Sequence, residues 1–189
     1  MTPDDGGAVT WWQCEPRRLA RDEAEIGEWF PGLQWVDEGA GGWVGRLPRW
    51  PFDRPEPAGL PALVGEEGLE ALLVYGHAYP MVAPLIYPGD PRPGIAQRTD
   101  HKWHVNGNGS LCLLQDDATW NGRGSVLDLL LKAAGWRVEY ALMKAGVIEA
   151  MTLHGIVDDA QSDHLIAVAV KAIEAFGDQP AERELDGAT

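Results

Sequence analysis

Cysteine is scarce in this chain, positive charge is outnumbered, and no long apolar run interrupts it. The two cysteines, Cys14 and Cys112, lie far apart with no repeated spacing, so a disulfide framework is not expected and both read as free thiols. Fifteen Lys and Arg stand against 29 Asp and Glu, a formal charge of -14. Such a surface repels phosphate backbones and anionic headgroups, so neither nucleic acid nor a membrane surface is expected as a partner. No apolar stretch approaches the ~20 residues of a membrane span. The opening MTPDDGGAVT carries neither basic residues nor the apolar core of a secretory leader, and the expected location is cytoplasmic.

What is present fits a packed domain. Hydrophobic residues make up 45% and charged residues 23% of 189, close to the average for a globular chain and enough for one core. Nine tryptophans are many for this length, and core or interface packing accounts for them. Polar ends frame the fold: residues 1–15 are expected to be flexible, 16–177 to form the domain, and 178–189 to be a flexible tail.

Between those ends, Pro16 suits a first helical turn, Leu19, Ile26 and Phe30 recur at helical spacing, and Pro31-Gly32 stops the pattern. Leu33 to Val36, the Gly39 to Gly42 turn and Trp43 to Leu47 read as a hairpin. Five prolines make Pro48 to Gly68 a loop, and Glu70 to Tyr75 resumes as a buried strand. The prolines from Pro80 to Pro93 permit at most a short strand at Leu85 to Tyr87. Ser125 with Asp128 three residues on resembles a capping box, opening a helix of about twenty residues with Leu127, Leu130, Ala134, Val138, Ala141 and Ala145 on one face. A last helix runs from Ser162, with Leu165, Ala169, Ala172, Ile173 and Phe176 inward and Gly177 at its stop. Consecutive strands without intervening helices predict an α+β fold: an N-terminal helix, a four-stranded antiparallel meander, an irregular loop, then helices packed on one side.

That irregular loop, Gln97 to Asn121, has no helical period, and structureless segments of such length are uncommon unless functional. Its centre, HKWHVNGNGSLCLLQDDATW from His101 to Trp120, gathers the chemistry. Cys112 follows the Asn108-Gly109 turn. A nucleophilic cysteine needs exposure and some thiolate, and His104, Asn106, Asn108 and backbone amides offer groups that stabilise negative charge.

The run Asn108-Gly109-Ser110-Leu111-Cys112-Leu113, Trp120 eight residues past the cysteine, and Ser125-Val126-Leu127-Asp128-Leu129-Leu130-Leu131 together resemble the active-site segment of ubiquitin-conjugating enzymes. Upstream, Tyr79-Pro80-Met81-Val82-Ala83-Pro84-Leu85-Ile86 is similar to that family's Tyr-Pro-x-x-Pro-Pro-x-Val strand entry, with Ala83 replacing one proline. The likeness covers roughly residues 16 to 150. The family's His-Pro-Asn triplet is blurred: His104 stands eight residues before the cysteine, and His104-Val105-Asn106 matches only with a shorter loop. A histidine before Gly-Ser-Leu-Cys looks more like divergent bacterial members encoded in antiphage operons. The resemblance implies a UBC-like fold and a transferase that accepts a ubiquitin-like protein from an activating enzyme of the same operon as a Cys112 thioester. It then implies transfer to an amine on an acceptor whose identity the chain does not reveal. Cys112, His104 and Asn106 are the implied catalytic group, with His104 or Asn106 as oxyanion donor, and Asn108, Asp116 and Asp117 are candidates for substrate contact. No metal or organic cofactor is implied.

Three other readings stand beside it. Zinc on His101, His104 and Cys112 lacks a fourth ligand at a recognisable spacing. A papain-like hydrolase would place its cysteine at a helix start and its histidine far downstream, leaving only His154 or His164 as partners. A noncatalytic module that binds ubiquitin-like proteins would not need Cys112.

Overall fold

In a computed structural model, described here for residues 9–114, 120–152, 160 and 163–177, helices and strands follow one another as the sequence order predicts. Trp11–Cys14 (α1) and Pro16–Trp29 (α2) precede a sheet of Leu33–Val36 (β1), Gly42–Arg46 (β2), Glu70–Val74 (β3) and Leu85–Asp90 (β4). Leu60–Val64 (α3) and Ile95–Arg98 (α4) are short helices, and Val126–Lys144 (α5) and Asp163–Gly177 (α6) close the chain. The sheet has the order β1-β2-β3-β4 with every pair antiparallel. No helix among the described residues is long and apolar enough to cross a membrane.

Strand alternation decides what the sheet buries. Trp43, Leu73 and Ile86 align across β2, β3 and β4 and are buried, while their neighbours Val44, Leu72 and Leu85 stay exposed on the opposite face. The buried row shares one core with Ile26 and Phe30 of α2 and with Leu129, Leu130, Ala133, Ala134 and Trp136 of α5. A second cluster joins Val138 and Leu142 of α5 to Leu60 and Val64 of α3 and to Ile166 and Ala169 of α6. Burying side chains such as Leu130 and Leu142 contributes about 2 kcal/mol each, so α5 is the fold's central post.

Several elements differ from expectation, each for a physical reason. Within the stretch 1–15 expected to be flexible, α1 forms and Trp11 is buried, because its indole donates to Ala40 O at 2.7 Å and packs against Tyr75 and Tyr79. The loop from Pro48 to Gly68 contains α3, where Pro61 sits in the first turn that tolerates it. β4 extends three residues past Tyr87 and accommodates Pro88, because it is an edge strand and its register with β3 shifts beside Pro88. α5 is buried on nearly every side rather than along one face, since two clusters meet on it. On α6, Ile166 rather than Ile173 is buried, and Ile173 is 43% exposed because the helix runs on past its support. Residues 178–189 and the side chain of Phe176 lie outside the described residues.

Candidate functional site

Asp100 begins the approach to Cys112: its carboxylate accepts from Lys102 N at 3.2 Å and caps a single 3-10 turn, His101–Trp103. Two bonds fasten this turn to the body. Trp136 of α5 donates its indole N–H to Trp103 O at 2.9 Å, and Met151 N donates to Lys102 O at 3.1 Å. His104 then reverses the chain in the left-handed conformation, with φ 48° and ψ 44°, the one non-glycine residue with positive φ among those described. Histidine is one of the few side chains that enter this region with some frequency, and the strain marks a position the surroundings enforce.

The reversal aims the His104 carbonyl at Cys112, whose amide donates to it at 2.8 Å. Between these residues the chain makes a tight excursion. Val105 bridges Leu111, Asn106 N donates to Ser110 O at 2.8 Å, and Gly109 N donates to Asn106 O at 2.8 Å. Gly109 has φ 90° and lies against the Arg98 guanidinium, so a Cβ there would be strained and would crowd Arg98 at 3.2 Å. Leu111 N donates to Ile86 O at 2.8 Å, fixing the base of the excursion to β4.

The polar side chains of the excursion serve it internally. Asn106 spends both amide hydrogens, on Ser110 Oγ at 3.0 Å and Leu111 O at 3.3 Å. The Asn108 side-chain carbonyl accepts from Ser110 N at 3.0 Å and from Ser110 Oγ at 2.8 Å, an Asx turn. Cys112 projects from this brace with an exposed thiol, 3.8 Å from Leu114 O. The arrangement presents an exposed thiol on a backbone held by several hydrogen bonds. Asp116, Asp117 and His154 lie outside the described residues. His164 is an exposed residue of α6, and Cys14, also exposed, ends α1. Among the described residues no group of three or more His, Cys, Asp or Glu is arranged to hold a metal ion.

Beyond the cysteine the chain returns at Trp120, and α2 receives it. Arg18 donates to Gly122 O at 3.3 Å and to Gly124 O, and Arg21 donates to Arg123 O at 3.2 Å. Glu25 accepts from Ser125 Oγ at 2.5 Å, and Ser125 Oγ in turn accepts from Leu127 N at 3.1 Å, capping α5. The Trp120 indole donates to Pro80 O at 2.8 Å. Behind Arg18, the buried Asp22 carboxylate accepts from Tyr79 Oη at 2.6 Å and Tyr75 Oη at 3.0 Å, and Trp43 donates to Tyr75 Oη at 3.2 Å. Asp22 Oδ1 lies 3.3 Å from Arg18 Nε yet takes no hydrogen bond, because that nitrogen donates to Tyr79 Oη at 2.7 Å.

Electrostatics follows from that geometry. Burial pushes the Asp22 carboxyl above its ordinary value and outweighs Tyr79, Arg18 and Tyr75, which all favour the charged form. Burial, with Asp22 beside them, raises both tyrosine hydroxyls, so they remain donors. Burial also acts to raise Glu25, but the Ser125 hydroxyl and Arg21 prevail and hold it below the usual carboxylate value.

The sequence draws attention to Cys112 and the turn before it but not to Arg18, Asp22 or Lys132, whose Nζ donates to Leu113 O at 3.3 Å. The spacing of Arg18 and Asp22 at i and i+4 was a usable signal for a pair on one helix face. Nothing in the sequence pointed Lys132 at the loop. Comparison with known proteins adds no relative: no protein family, curated protein or solved structure matches the chain.

Proposed function

We propose that the protein is a ubiquitin-conjugating-type transferase with a UBC-like fold, which accepts a ubiquitin-like protein as a thioester on Cys112 and passes it to an amine. The observation that carries this reading is the exposed Cys112 thiol on a loop whose backbone is pinned by the 2.8 Å bond from Cys112 N to His104 O. A carrier thiol must be reachable by two large partners in turn, the activating enzyme of the same operon and the acceptor, and exposure meets that need. A fixed loop holds the acyl carbonyl in one place while an amine approaches, which lowers the entropic part of the barrier.

In the first step the Cys112 thiolate attacks the thioester held by the activating enzyme, and that enzyme's thiolate leaves. In the second an amine attacks the Cys112 thioester through a tetrahedral oxyanion, which collapses with loss of the Cys112 thiolate. Asn106, with both amide hydrogens spent inside the loop, acts as a positioning residue. His104 is then the candidate donor to the oxyanion. A cytoplasmic, antiphage-defence setting in a bacterium accords with the same reading.

The test is intact mass of parent and Cys112→Ala protein after incubation with the ubiquitin-like protein and activating enzyme encoded beside it, with and without reductant. A reductant-sensitive adduct on the parent alone is expected. A charged activating enzyme with no adduct on the parent refutes the carrier role and leaves a noncatalytic binding module.

A further inference from the structure

Lysine is rare in this chain. Of 15 basic residues only Lys102, Lys132, Lys144 and Lys171 are lysines, and the rest are arginines. Arginine keeps its proton under all ordinary conditions, whereas a lysine amine becomes a nucleophile when it loses one. A carrier of a reactive acyl group that displays mostly arginine offers few internal acceptors. Where the four lysines stand therefore matters.

Lys144 ends α5, twelve residues beyond Lys132, or about 18 Å along the helix at 1.5 Å per residue. Lys171 lies on α6. Lys102 is turned to Asp100, with its Nζ 3.2 Å from that carboxylate. Lys132 alone among them is shown reaching to the backbone that follows Cys112: its Nζ donates to Leu113 O, and Cys112 Sγ rests near Leu114 O. Sulfur and amine are thus anchored to adjoining peptide units, whose Cα atoms are about 3.8 Å apart. Both residues are exposed.

We propose that Lys132 is the internal acceptor of this carrier: an acyl group on Cys112 passes to Lys132 Nζ when no external amine arrives, leaving an amide modification that retires the loaded enzyme. The inference rests on Cys112 acting as an acyl carrier. In the step, Lys132 first gives a proton to water and its free amine attacks the thioester carbonyl. The C–N bond forms, the C–S bond breaks, its electron pair returns to Cys112 as thiolate, and the second amine proton leaves to solvent. No oxidant or cofactor enters.

A small donor tests this without the natural partners. The full chain is incubated at mildly alkaline pH with the mercaptoethanesulfonate thioester of acetylglycine, treated or not with dithiothreitol, and followed by intact mass and peptide mapping. Expected is a dithiothreitol-sensitive acetylglycyl adduct on Cys112 that gives way with time to a resistant adduct on Lys132. Lys132→Arg, which keeps the positive charge and a donor for Leu113 O, should retain the sensitive adduct and lose the resistant one. Cys112→Ala should lose the Lys132 adduct, and Cys14→Ser should keep it. The proposal is overturned if the resistant adduct forms equally in Cys112→Ala, if it spreads evenly over Lys102, Lys144 and Lys171, or if the Cys112 thioester persists with no amide product. Absence of any Cys112 adduct, with Cys14 acylated in the same sample, would instead strike at the carrier reading and carry this inference down with it.

Discussion

The segment leading into Cys112 takes its shape from backbone and short polar side chains within ten residues of one another and is moored to the body by uncharged bonds to Ile86, Trp136 and Met151, whereas the segment leaving it is gripped by charged side chains from far back in the chain. On the entry side, the pairs are His104 with Cys112, Asn106 with Ser110 and Leu111, and Asn108 with Ser110. On the exit side, Arg18 reaches carbonyls 104 and 106 positions away, and Glu25 meets Ser125 across 100. Local bonds set the shape of a loop at modest free energy. Long-range charged contacts weld the loop's far end to the core, and their loss is felt by the whole molecule.

The strongest way to break that contrast is at Arg18. Arg18→Leu leaves the fully buried Asp22 beside an apolar side chain and strips two carbonyls of their donor. Removing one partner of a buried pair costs about 3–5 kcal/mol, a large part of the stability of a domain this size. Urea denaturation followed by tryptophan fluorescence should show the drop. A loss below about 1 kcal/mol would mean that the exit is held as lightly as the entry.

Asn106→Ala attacks the entry instead. Two hydrogen bonds at an exposed loop contribute roughly 1 kcal/mol net, so the urea midpoint should move little. The position of Cys112 depends on that turn, and under the proposed carrier role the rate of thioester formation should fall by ~10-fold or more, far out of proportion to the stability lost. Equal stability losses in Asn106→Ala and Arg18→Leu, or unchanged loading in Asn106→Ala, would erase the distinction between a shaping end and a welding end.

The same contrast explains what could be read from the residues alone. Asn108-Gly109 is a turn signal, Ser125 a helix start and Pro16 a first-turn residue, each decided by neighbours a few positions away, and α2, β1, β2, β3 and α5 appear near their expected limits. α1 is not legible locally because Trp11 is ordered by Tyr75 and Tyr79, which no local window contains. Pro88 argued against a long β4, and only the knowledge that β4 is an edge lifts that objection. Asp22 on a charged helix reads as solvated until Tyr75 and Tyr79 close over it. Lys132 on α5 meets Leu113 only once the loop is folded back onto the helix.

The smallest effect sharpens the picture inside the exit itself, where Asp22 and Glu25, one helical turn apart, respond to pH in opposite senses. Glu25 is held below its ordinary 4.5 in the folded chain, so the unfolded chain binds its proton more readily; its contribution is present above about that pH and is lost as pH falls through the folded value. Asp22 is pushed above its ordinary 3.8, so the folded chain holds the proton more tightly; its contribution is full below that pH and declines as pH rises through the folded value. The other charged groups facing Asp22 are Arg18 and Glu25, with the Tyr75 and Tyr79 hydroxyls. Asp22→Asn removes one titration and leaves the other. Whatever the variant loses in hydrogen bonding is the same at every pH, so the difference in urea midpoint between variant and parent isolates Asp22. That difference should shift in the variant's favour between about pH 3.5 and about pH 7, by an amount smaller than the Arg18→Leu loss. A difference independent of pH would mean that the Asp22 proton is held equally in both states, and a shift in the parent's favour would mean that Arg18 and the tyrosines outweigh burial after all.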